Sequence, residues 1–166
     1  SYSLPNKGKV PSLDQVLREL PGVMLNIDVK SAGAVSPTVR AIEENSAHDR
    51  VLVSSFSNTR RKRALALLSR PAATSGSMAD VLRIWVAHKF LGGFGLKALT
   101  RGLDALQLPC NYGPILFAQP KFIAAMAAID IEVHFWTINE LEQMRELLSM
   151  GASGIVTDRC DLAAKL

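Results

Sequence analysis

The stretch Leu25-Asn26-Ile27-Asp28-Val29-Lys30 predicts a buried strand that ends in two charged side chains. Asp28 and Lys30 are two residues apart, so a strand directs both to the same side. A carboxylate and an ammonium at the end of a buried strand are costly unless they meet a partner. Two interpretations follow. The pair is a structural ion pair on a strand with one wet face, or Asp28 binds a metal ion and Lys30 binds a phosphate.

The composition is that of a globular chain with room for one domain. Of its 166 residues, 48% are hydrophobic and 20% are charged, which excludes a disordered chain. No apolar run reaches the roughly 18 residues that a membrane-spanning helix needs. Residues 1–5 lack a signal-peptide pattern, and Cys110 and Cys160 have neither disulfide-framework nor metal-site spacing. We therefore expect a single domain, residues 1–166, in a reducing, cytoplasmic compartment.

Positive charge is unevenly placed along the chain, whose net charge is +4. Arg60-Arg61-Lys62-Arg63 is one basic run, and no acidic residue occurs from Val81 to Leu103. The basic residues within that second stretch are Arg83, Lys89, Lys97 and Arg101. Such patches favour anionic partners, although a solvated helix face produces the same pattern.

After a polar, irregular segment at residues 1–11, strand-like and helix-like patterns alternate. The predicted strands cover residues 23–29, 50–56, 71–77, 105–109, 131–136 and 154–158. The predicted helices begin near residues 13, 36, 58, 80, 96, 120 and 140. This alternation is typical of parallel α/β folds, and periodicity does not separate an open sheet from a barrel. Gly92-Gly93-Phe94-Gly95 does not follow a strand, so no nucleotide-binding glycine loop is predicted.

Four strand ends carry polar and aromatic residues in a distinctive series. They are Asn26-Ile27-Asp28-Val29-Lys30, Val53-Ser54-Ser55-Phe56, Val133-His134-Phe135-Trp136-Thr137-Ile138-Asn139 and Gly154-Ile155-Val156-Thr157-Asp158. In this order and spacing they resemble the glycerophosphodiester phosphodiesterase family. The lead-in from Val10 to Leu17 is similar to the same family's "P-T-L-E-E-V-L" segment. The resemblance spans nearly the whole chain and is weakest from Ala72 to Tyr112.

The resemblance implies a TIM-type (β/α)₈ barrel, a fold that typically needs about 250 residues. The chain matches the last six strands and lacks the first two, so we expect an N-terminal segment or a second chain to close the barrel. In the family the missing part carries a His-Arg pair, a Glu-x-Asp pair and a second histidine. His48, His88 and His134 match none of these, and we expect them to be structural or solvated.

The same resemblance assigns two roles to the first strand. Asp28 matches the position of a glutamate that binds the divalent metal. Because aspartate is the shorter carboxylate, both direct and water-bridged coordination are open. Lys30 matches the lysine that contacts the phosphate. We expect both side chains to reach the mouth of the barrel on the same side as Trp136.

Aromatic and polar residues at other strand ends also match the family. Trp136 matches the aromatic residue at the mouth, where the polyol part of the substrate rests. Phe56 matches a strand-end aromatic that binds substrate or serves packing. Thr157 and Asp158 match the final strand end, where Asp158 is a site residue, a helix cap or an ion-pair partner.

The activity that the resemblance implies is metal-assisted hydrolysis of glycerophosphodiesters to glycerol 3-phosphate and an alcohol, in lipid and glycerol metabolism. The cofactor is a hard divalent cation, Mg²⁺ or Ca²⁺. The expected partner is a small or lipid-derived phosphodiester, not a nucleic acid. Since no catalytic residue is assigned within this chain, we expect it to be inactive by itself.

Two alternatives to this activity stay open. The chain can be a catalytically incomplete barrel fragment or a binding module, which the unmatched histidines favour. It can also belong to a phosphodiesterase of lysophospholipid or sphingolipid head groups. In that case the basic stretch from Lys89 to Arg101, with its phenylalanines and leucines, contacts a membrane surface. A loop over the barrel mouth is the other interpretation of that stretch.

Overall fold

The structure, a computed structural model, describes residues 10–166. The irregular segment expected at residues 1–11 lies outside the described residues, except for Val10 and Pro11, which belong to no helix or strand. Backbone contacts divide the chain into two compact units, one ending at Ala73 and one running from Thr74 to Leu166. Each unit has a hydrophobic core of its own. The expectation of a single domain stays a prediction.

The first unit alternates helices with strands. Its elements are α1 Leu13–Glu19, β1 Leu25–Asp28, α2 Val35–Glu44, β2 Val51–Ser54 and α3 Asn58–Leu67. Short 3₁₀ turns at Ala32–Ala34 and His48–Arg50 precede α2 and β2. The predicted strands at 23–29 and 50–56 are thus confirmed as elements, but each is four residues long.

The sequence signals at the helix starts are confirmed in part. The Ser12 hydroxyl accepts from the backbone N–H of Gln15 at 3.2 Å, as expected of an N-cap. The sequence pattern of Ser12 followed by Gln15 predicts a capping box, and this prediction is wrong, because the Gln15 side chain donates forward to Glu19 at 2.9 Å. For α3 the sequence predicts Asn58 or Thr59 as the cap, but the cap is Ser57, whose side chain accepts from the N–H of Arg60.

Strands β1 and β2 pair in parallel, with Leu25 opposite Val51 and Asp28 opposite Ser54. This register gives the pair two unlike faces, because side chains alternate along a strand. One face carries Leu25, Ile27, Val51 and Val53. The other carries Asn26, Leu52, Asp28 and Ser54.

The apolar face of this pair belongs to the core of the first unit, together with the three helices. Its buried members include Leu17, Val39, Ile42, Val53 and Ala64. The helical spacing of Val39 and Ile42 predicts that both face the core, and both are buried. Burying one such side chain fully contributes about 1.5–3 kcal/mol. The helices thereby hold the polar face of the pair in a fixed position.

The second unit repeats strand and helix around a larger core. Strand β3, Ala73–Thr74, lies at the border of the two units. The later elements are α4 Met78–Phe90, α5 Leu96–Leu99, β4 Ala105–Leu108, β5 Asn111–Tyr112, β6 Ile115–Leu116, α6 Pro120–Ala127, β7 Glu132–Phe135, α7 Leu141–Ser149, β8 Gly154–Ile155 and α8 Cys160–Ala163. The β5–β6 hairpin and α8 were not predicted.

A parallel sheet in the order β4-β7-β8 forms the centre of this unit. Within it, Gly154 lies opposite His134, and a Cβ at residue 154 would come within 2.9 Å of the imidazole. Any larger residue at 154 would require the His134 ring to move. The parallel pairing confirms the α/β class expected from the alternating pattern.

The buried face of α6 is the one that its sequence pattern predicts, whereas the buried face of α7 differs from its pattern at one position. In α6 the apolar spacing predicts Phe122, Ile123 and Met126 on the core face, and all three are buried. In α7 the apolar spacing predicts Leu141, Met144 and Leu148 on the core face. Met144 is buried, but Leu147 is the other buried residue of the helix, while Leu148 is exposed. The assignment of Leu148 to the core is therefore wrong. Leu147 and Leu148 both continue the helical spacing of α7, so the sequence does not distinguish them. The packing of the helix decides which of the two is buried.

Candidate functional site

The end of β1 places the two charged residues that the sequence singled out. Asp28 is the last residue of β1 and lies opposite Ser54 of β2. Pairing continues past the strand, because the N–H of Val29 donates to the carbonyl of Ser54 at 2.8 Å. Val29 is buried and Lys30 is exposed, so the alternation of faces persists to Lys30.

Asp28 and Lys30 meet, as the spacing predicted. Lys30 Nζ lies 2.5 Å from Asp28 Oδ2. The Asp28 side chain is only 29% exposed, whereas that of Lys30 is 74% exposed. The second carboxylate oxygen, Asp28 Oδ1, is buried and has no hydrogen-bond partner among residues 10–166. Asp28 Oδ2 therefore has a partner in Lys30, whereas Asp28 Oδ1 is a buried acceptor without a donor.

Phe56 completes the group of residues at this strand end. Lys30 Nζ lies 5.4 Å from the centroid of the Phe56 ring, within the range of a cation–π contact. Phe56 follows β2 and is 54% exposed. The structure thus brings together three of the four predicted site residues. We call Asp28, Lys30 and Phe56 the first strand-end cluster.

Two residues that sequence reasoning did not assign hold this cluster in place. The Ser55 hydroxyl donates to the carbonyl of Val29 at 2.8 Å. Arg60 Nε lies 3.2 Å from the same carbonyl and 3.2 Å from Ser55 Oγ. The backbone between Asp28 and Lys30 is thereby tied to β2 and α3. The serine pair after a buried strand was the only sequence signal for this role, and nothing distinguished Arg60 within its basic run.

Trp136, the fourth predicted site residue, belongs to the second unit. It follows β7 directly, and its backbone N–H donates to the carbonyl of Leu108 at 2.9 Å. Its indole is half-buried, and its peptide bond to Thr137 is cis. The expectation that it shares a side with Asp28 and Lys30 stays a prediction.

A second polar group joins residues that follow β7 and β8, and we call it the second strand-end cluster: Asn139, Thr157 and Asp158. Asn139 Oδ1 accepts from the Thr157 hydroxyl and from the Asp158 backbone N–H, both at 3.0 Å. Asn139 Nδ2 lies 3.4 Å from Asp158 Oδ2. Thr157 Oγ1 also accepts from the N–H of Arg159 at 2.9 Å. Each of these polar side chains is engaged within the cluster. The sequence predicts Asn139 as the cap of α7, but its side chain bonds within the cluster, and the cap position is Glu140.

His48 lies in a hydrogen-bonded chain inside the first unit. It is 2% exposed, and its Nδ1 lies 3.2 Å from a nitrogen of Arg70. Arginine can only donate, so Nδ1 accepts and Nε2 carries the proton that it donates to Glu43 at 3.1 Å. Glu43 also accepts from the Ser69 N–H at 2.6 Å and the Ser69 hydroxyl at 2.7 Å. These Ser69 bonds, with a smaller contribution from His48, lower the pKa of Glu43 to about 2.

The other two histidines also have local contacts. The His134 Nε2 atom lies 2.8 Å from a carboxylate oxygen of Glu132. The His88 ring contacts Phe122 edge-on, with centroids 5.3 Å apart. Burial lowers the pKa of His88, and the charge of Lys89 lowers it further. All three histidines therefore have local contacts, and the expectation that they are structural or solvated stays a prediction.

The fit of these residues to a divalent cation is partial. Asp28 Oδ1 is the kind of buried carboxylate oxygen that a hard cation binds. Among residues 10–166, however, no three His, Cys, Asp or Glu side chains lie together in a group that could hold a metal ion. The described residues therefore do not form a metal site by themselves.

Comparison with known proteins identifies the family. The model of the glycerophosphoryl diester phosphodiesterase family matches residues 1–162. The chain belongs to this family. The resemblance seen in the strand ends is thereby confirmed over nearly the whole chain.

Two curated relatives place the chain within the family. It is 40% identical over 154 residues to a probable glycerophosphodiester phosphodiesterase 2 of Mycobacterium tuberculosis, covering 92% of this chain and 58% of that protein. It is 25% identical over 177 residues to a glycerophosphodiester phosphodiesterase of Bacillus altitudinis, covering 95% of this chain and 62% of that protein. The chain therefore spans about three fifths of the length of the curated relatives it matches.

Solved structures of the family share the fold. A glycerophosphodiester phosphodiesterase from Parabacteroides distasonis matches with a TM-score of 0.69 at 20% identity, over 99% of this chain and 68% of that one. One from Agrobacterium tumefaciens matches with a TM-score of 0.68 at 17% identity, over 94% of this chain and 61% of that one. These matches confirm a TIM-barrel-like α/β fold. Within residues 10–166, none of the helices is long and apolar enough to cross a membrane.

Proposed function

We propose that the protein containing this chain hydrolyses glycerophosphodiesters to glycerol 3-phosphate and an alcohol. In this proposal the first strand-end cluster holds the phosphate end of the substrate. Membership of the glycerophosphoryl diester phosphodiesterase family supports the reaction class. The geometry of Asp28, Lys30 and Phe56 supports the placement of the phosphate.

The observation that carries the proposal is the unpartnered oxygen Asp28 Oδ1. Leaving a buried acceptor without a donor costs about 1–3 kcal/mol, and more when the acceptor is charged. Such an atom is stabilised when a cation binds to it. We propose that Asp28 supplies one oxygen ligand to Mg²⁺ or Ca²⁺. When bound, this cation neutralises charge that develops on the phosphate oxygens.

Lys30 is proposed to bind a non-bridging oxygen of the same phosphate. Its ammonium has three N–H donors, and the contact with Asp28 Oδ2 engages one side of it. The 74% exposure of its side chain leaves the other side open to an anion. Asp28 and Phe56 restrict where the ammonium can lie, so its charge is pre-positioned for phosphate. Phe56 is proposed to offer an apolar surface to the carbon atoms of the substrate.

The remaining parts of the active site are proposed to come from outside the described residues. Additional metal ligands and the histidines that transfer protons would belong to an upstream segment or a second chain. The sheet edges support this arrangement: within residues 10–166, β1 pairs only with β2, and β8 pairs only with β7. Free strand edges bind further strands readily, so β1 and β8 are the expected points of closure.

A second candidate function is a binding module that retains the fold without turnover. The observation that favours it is the engagement of His48 and His134 with carboxylates of their own unit. In this case the first strand-end cluster binds phosphodiesters, and no hydrolysis follows. Substrate binding without product release by the full-length protein would favour this candidate.

The proposed metal ligand is tested by Asp28→Asn, which keeps the size of the side chain and removes its charge. In full-length protein we expect about tenfold or more additional Mg²⁺ or Ca²⁺ to be needed for half-maximal turnover of glycerophosphocholine, because a neutral amide is a weaker ligand for hard cations. Calorimetric titration with the metal alone should show the same loss of affinity.

The matched control is Asp49→Asn, which changes an exposed carboxylate in the same unit. Its metal titration should equal that of the unmodified protein. If Asp28→Asn also leaves both the turnover and the calorimetric titration unchanged, Asp28 is not a metal ligand.

A further inference from the structure

The segment from α4 to the end of α5 exposes several large apolar side chains. Phe94 is 84% exposed and Phe90 is 70% exposed. The other exposed apolar residues of this segment are Val86, Leu91 and Leu99. Single exposed apolar residues are ordinary, but five within one continuous stretch of chain mark an interaction surface. We call this surface the apolar–basic surface.

The exposure of the two phenylalanines is built into the local structure. Gly92, Gly93 and Gly95 have positive φ angles of 58°, 84° and 80°, which direct a tight turn around Phe94. The Phe94 N–H donates to the carbonyl of Leu91 at 2.9 Å, which closes that turn. Buried Leu96 anchors its far side.

Phe90 is held by an aromatic neighbour while it stays exposed. Its ring meets Trp85 edge-on, with centroids 6.0 Å apart. Trp85 in turn meets buried Phe117 edge-on at 6.5 Å. Val86 lies one helical turn before Phe90 on the same face of α4. The surface is therefore an ordered one, attached to the core of the second unit.

Cations flank these apolar side chains, and they lack acidic partners. Lys89, Lys97 and Arg101 are exposed, and none forms an ion pair with a carboxylate elsewhere in residues 10–166. No acidic residue occurs between Val81 and Leu103. Arg83 does have a partner, since it lies 3.9 Å from Asp80. The surface thus combines apolar side chains with three unneutralised positive charges.

We infer that the apolar–basic surface docks on an anionic lipid bilayer. Apolar side chains, aromatic above all, enter the boundary between head groups and acyl chains, while lysine and arginine attract anionic head groups. A protein partner with an apolar patch would account for the phenylalanines but not for the absence of acidic residues from Val81 to Leu103. A polyanion such as a nucleic acid would account for the charges but not for the exposed phenylalanine at the tip.

The inference goes beyond hydrolysis and does not require it, because vesicle binding is measured without turnover. The full-length protein should float with vesicles of equimolar phosphatidylglycerol and phosphatidylcholine, and not with vesicles of phosphatidylcholine alone. Binding should weaken as salt shortens the Debye length from about 10 Å at 0.1 M to about 3 Å at 1 M.

Two variants separate the apolar part from the charged part. Phe94→Ser should weaken binding at least about tenfold, because it removes a large side chain from the lipid phase. Removing Lys97 by Lys97→Ala should weaken it about fivefold, and the same holds for Lys89→Ala. Since all three side chains are exposed, thermal unfolding should be unchanged, and so should turnover of water-soluble glycerophosphocholine.

The matched controls lie on other elements of the same unit. Leu116→Ser changes an exposed apolar residue of β6, and Lys121→Ala changes an exposed cation of α6. Both should bind anionic vesicles like the unmodified protein. Equal flotation with anionic and neutral vesicles, or with neither, overturns the inference. The surface could instead join two copies of this chain. Self-association that light scattering detects and Phe94→Ser abolishes, with no vesicle binding by any variant, would show this and overturn the inference.

Discussion

The two strand-end clusters look alike in sequence and differ in how their polar atoms are satisfied. In the second, Asn139 bonds both Thr157 and Asp158, and Thr157 also accepts from the backbone. In the first, Asp28 Oδ1 is buried without a partner and Lys30 is largely exposed. A cluster whose donors and acceptors are matched internally stabilises the fold. One with an unmatched oxygen and an accessible cation has capacity for a ligand.

The difference shows why polar residues at strand ends are not equivalent indicators of a site. Both clusters follow buried parallel strands, where ligand sites of α/β proteins are found. Because the Asn139 side chain already forms three hydrogen bonds, it has little remaining capacity to bind a ligand. Substitutions in the first should therefore change turnover, and substitutions in the second should change stability.

The largest expected effect is that of Lys30→Ala. Loss of a pre-positioned positive charge should lower kcat/KM for glycerophosphocholine about 10²–10³-fold in the full-length protein. Lys62→Ala, on the exposed face of α3, is the matched control. Its kcat/KM should stay within about twofold of that of the unmodified protein. Comparable losses in both variants would indicate a general charge effect, and the distinction between the clusters would then fail.

Asn139→Ala is expected to have a smaller effect, and to change the stability of the fold instead of turnover. It removes the acceptor of Thr157 and of the Asp158 N–H, and should lower the free energy of unfolding by about 1–2 kcal/mol. Urea denaturation measures this loss, with exposed Asn111→Ala as the control. Because the role is structural, kcat/KM of the folded protein should change less than about twofold. A large loss of turnover at unchanged stability would move the second cluster into the active site.

Phe56→Leu tests whether the Phe56 ring contributes to substrate binding in the first strand-end cluster. The substitution keeps an apolar side chain and removes the ring beneath the Lys30 ammonium. An exposed cation–π contact contributes about 0.5–1 kcal/mol, so KM should rise about two- to fivefold. Steady-state kinetics with Leu67→Ala as an exposed control on α3 would check this. An unchanged KM would assign Phe56 to packing, the other interpretation of its sequence position.

The smallest effect concerns Glu43, a carboxylate that lies in the same unit as Asp28 but is fully bonded. Its pKa is about 2 in the folded chain against an ordinary 4.5, because Ser69 and His48 donate to it. The stability that it contributes is complete above the ordinary value and is lost as pH falls from there toward 2. The difference in free energy of unfolding between the unmodified protein and Glu43→Gln should therefore shrink over that range.

Urea denaturation at several pH values between about 6 and 3 measures this difference. Asp161, whose pKa is also lowered to about 2, mainly by Arg159, is present in both proteins and cancels from it. A difference that stays constant over the whole range would contradict the hydrogen bonding assigned to Glu43.

Much of the fold could be predicted from local patterns. The helix at Pro120–Ala127 and its buried face follow from proline at the first turn and apolar residues at helical spacing. The β5–β6 hairpin was missed because two-residue strands have no detectable period. Leu147 and Leu148 could not be separated by spacing, since the packing of α7 decides which leucine is buried.

The candidate site could be predicted in part. Strand alternation alone placed Asp28 and Lys30 on one side, and the structure confirms their contact. Ser55 and Arg60 were not assigned, because their bonds to Val29 span 26 and 31 residues of sequence. The position of Trp136 relative to this cluster stays a prediction.

What the amino-acid sequence determined by itself was the alternation of strands and helices, the family and the residues at the strand ends. These depend on side-chain periodicity and on motifs that neighbouring residues carry. Only the tertiary structure decided which strand-end groups are satisfied, because hydrogen bonds such as that from Thr157 to Asn139 join residues far apart in the chain. It also decided that Asp28 has an oxygen without a donor, since burial and partners arise only when strands and helices pack together.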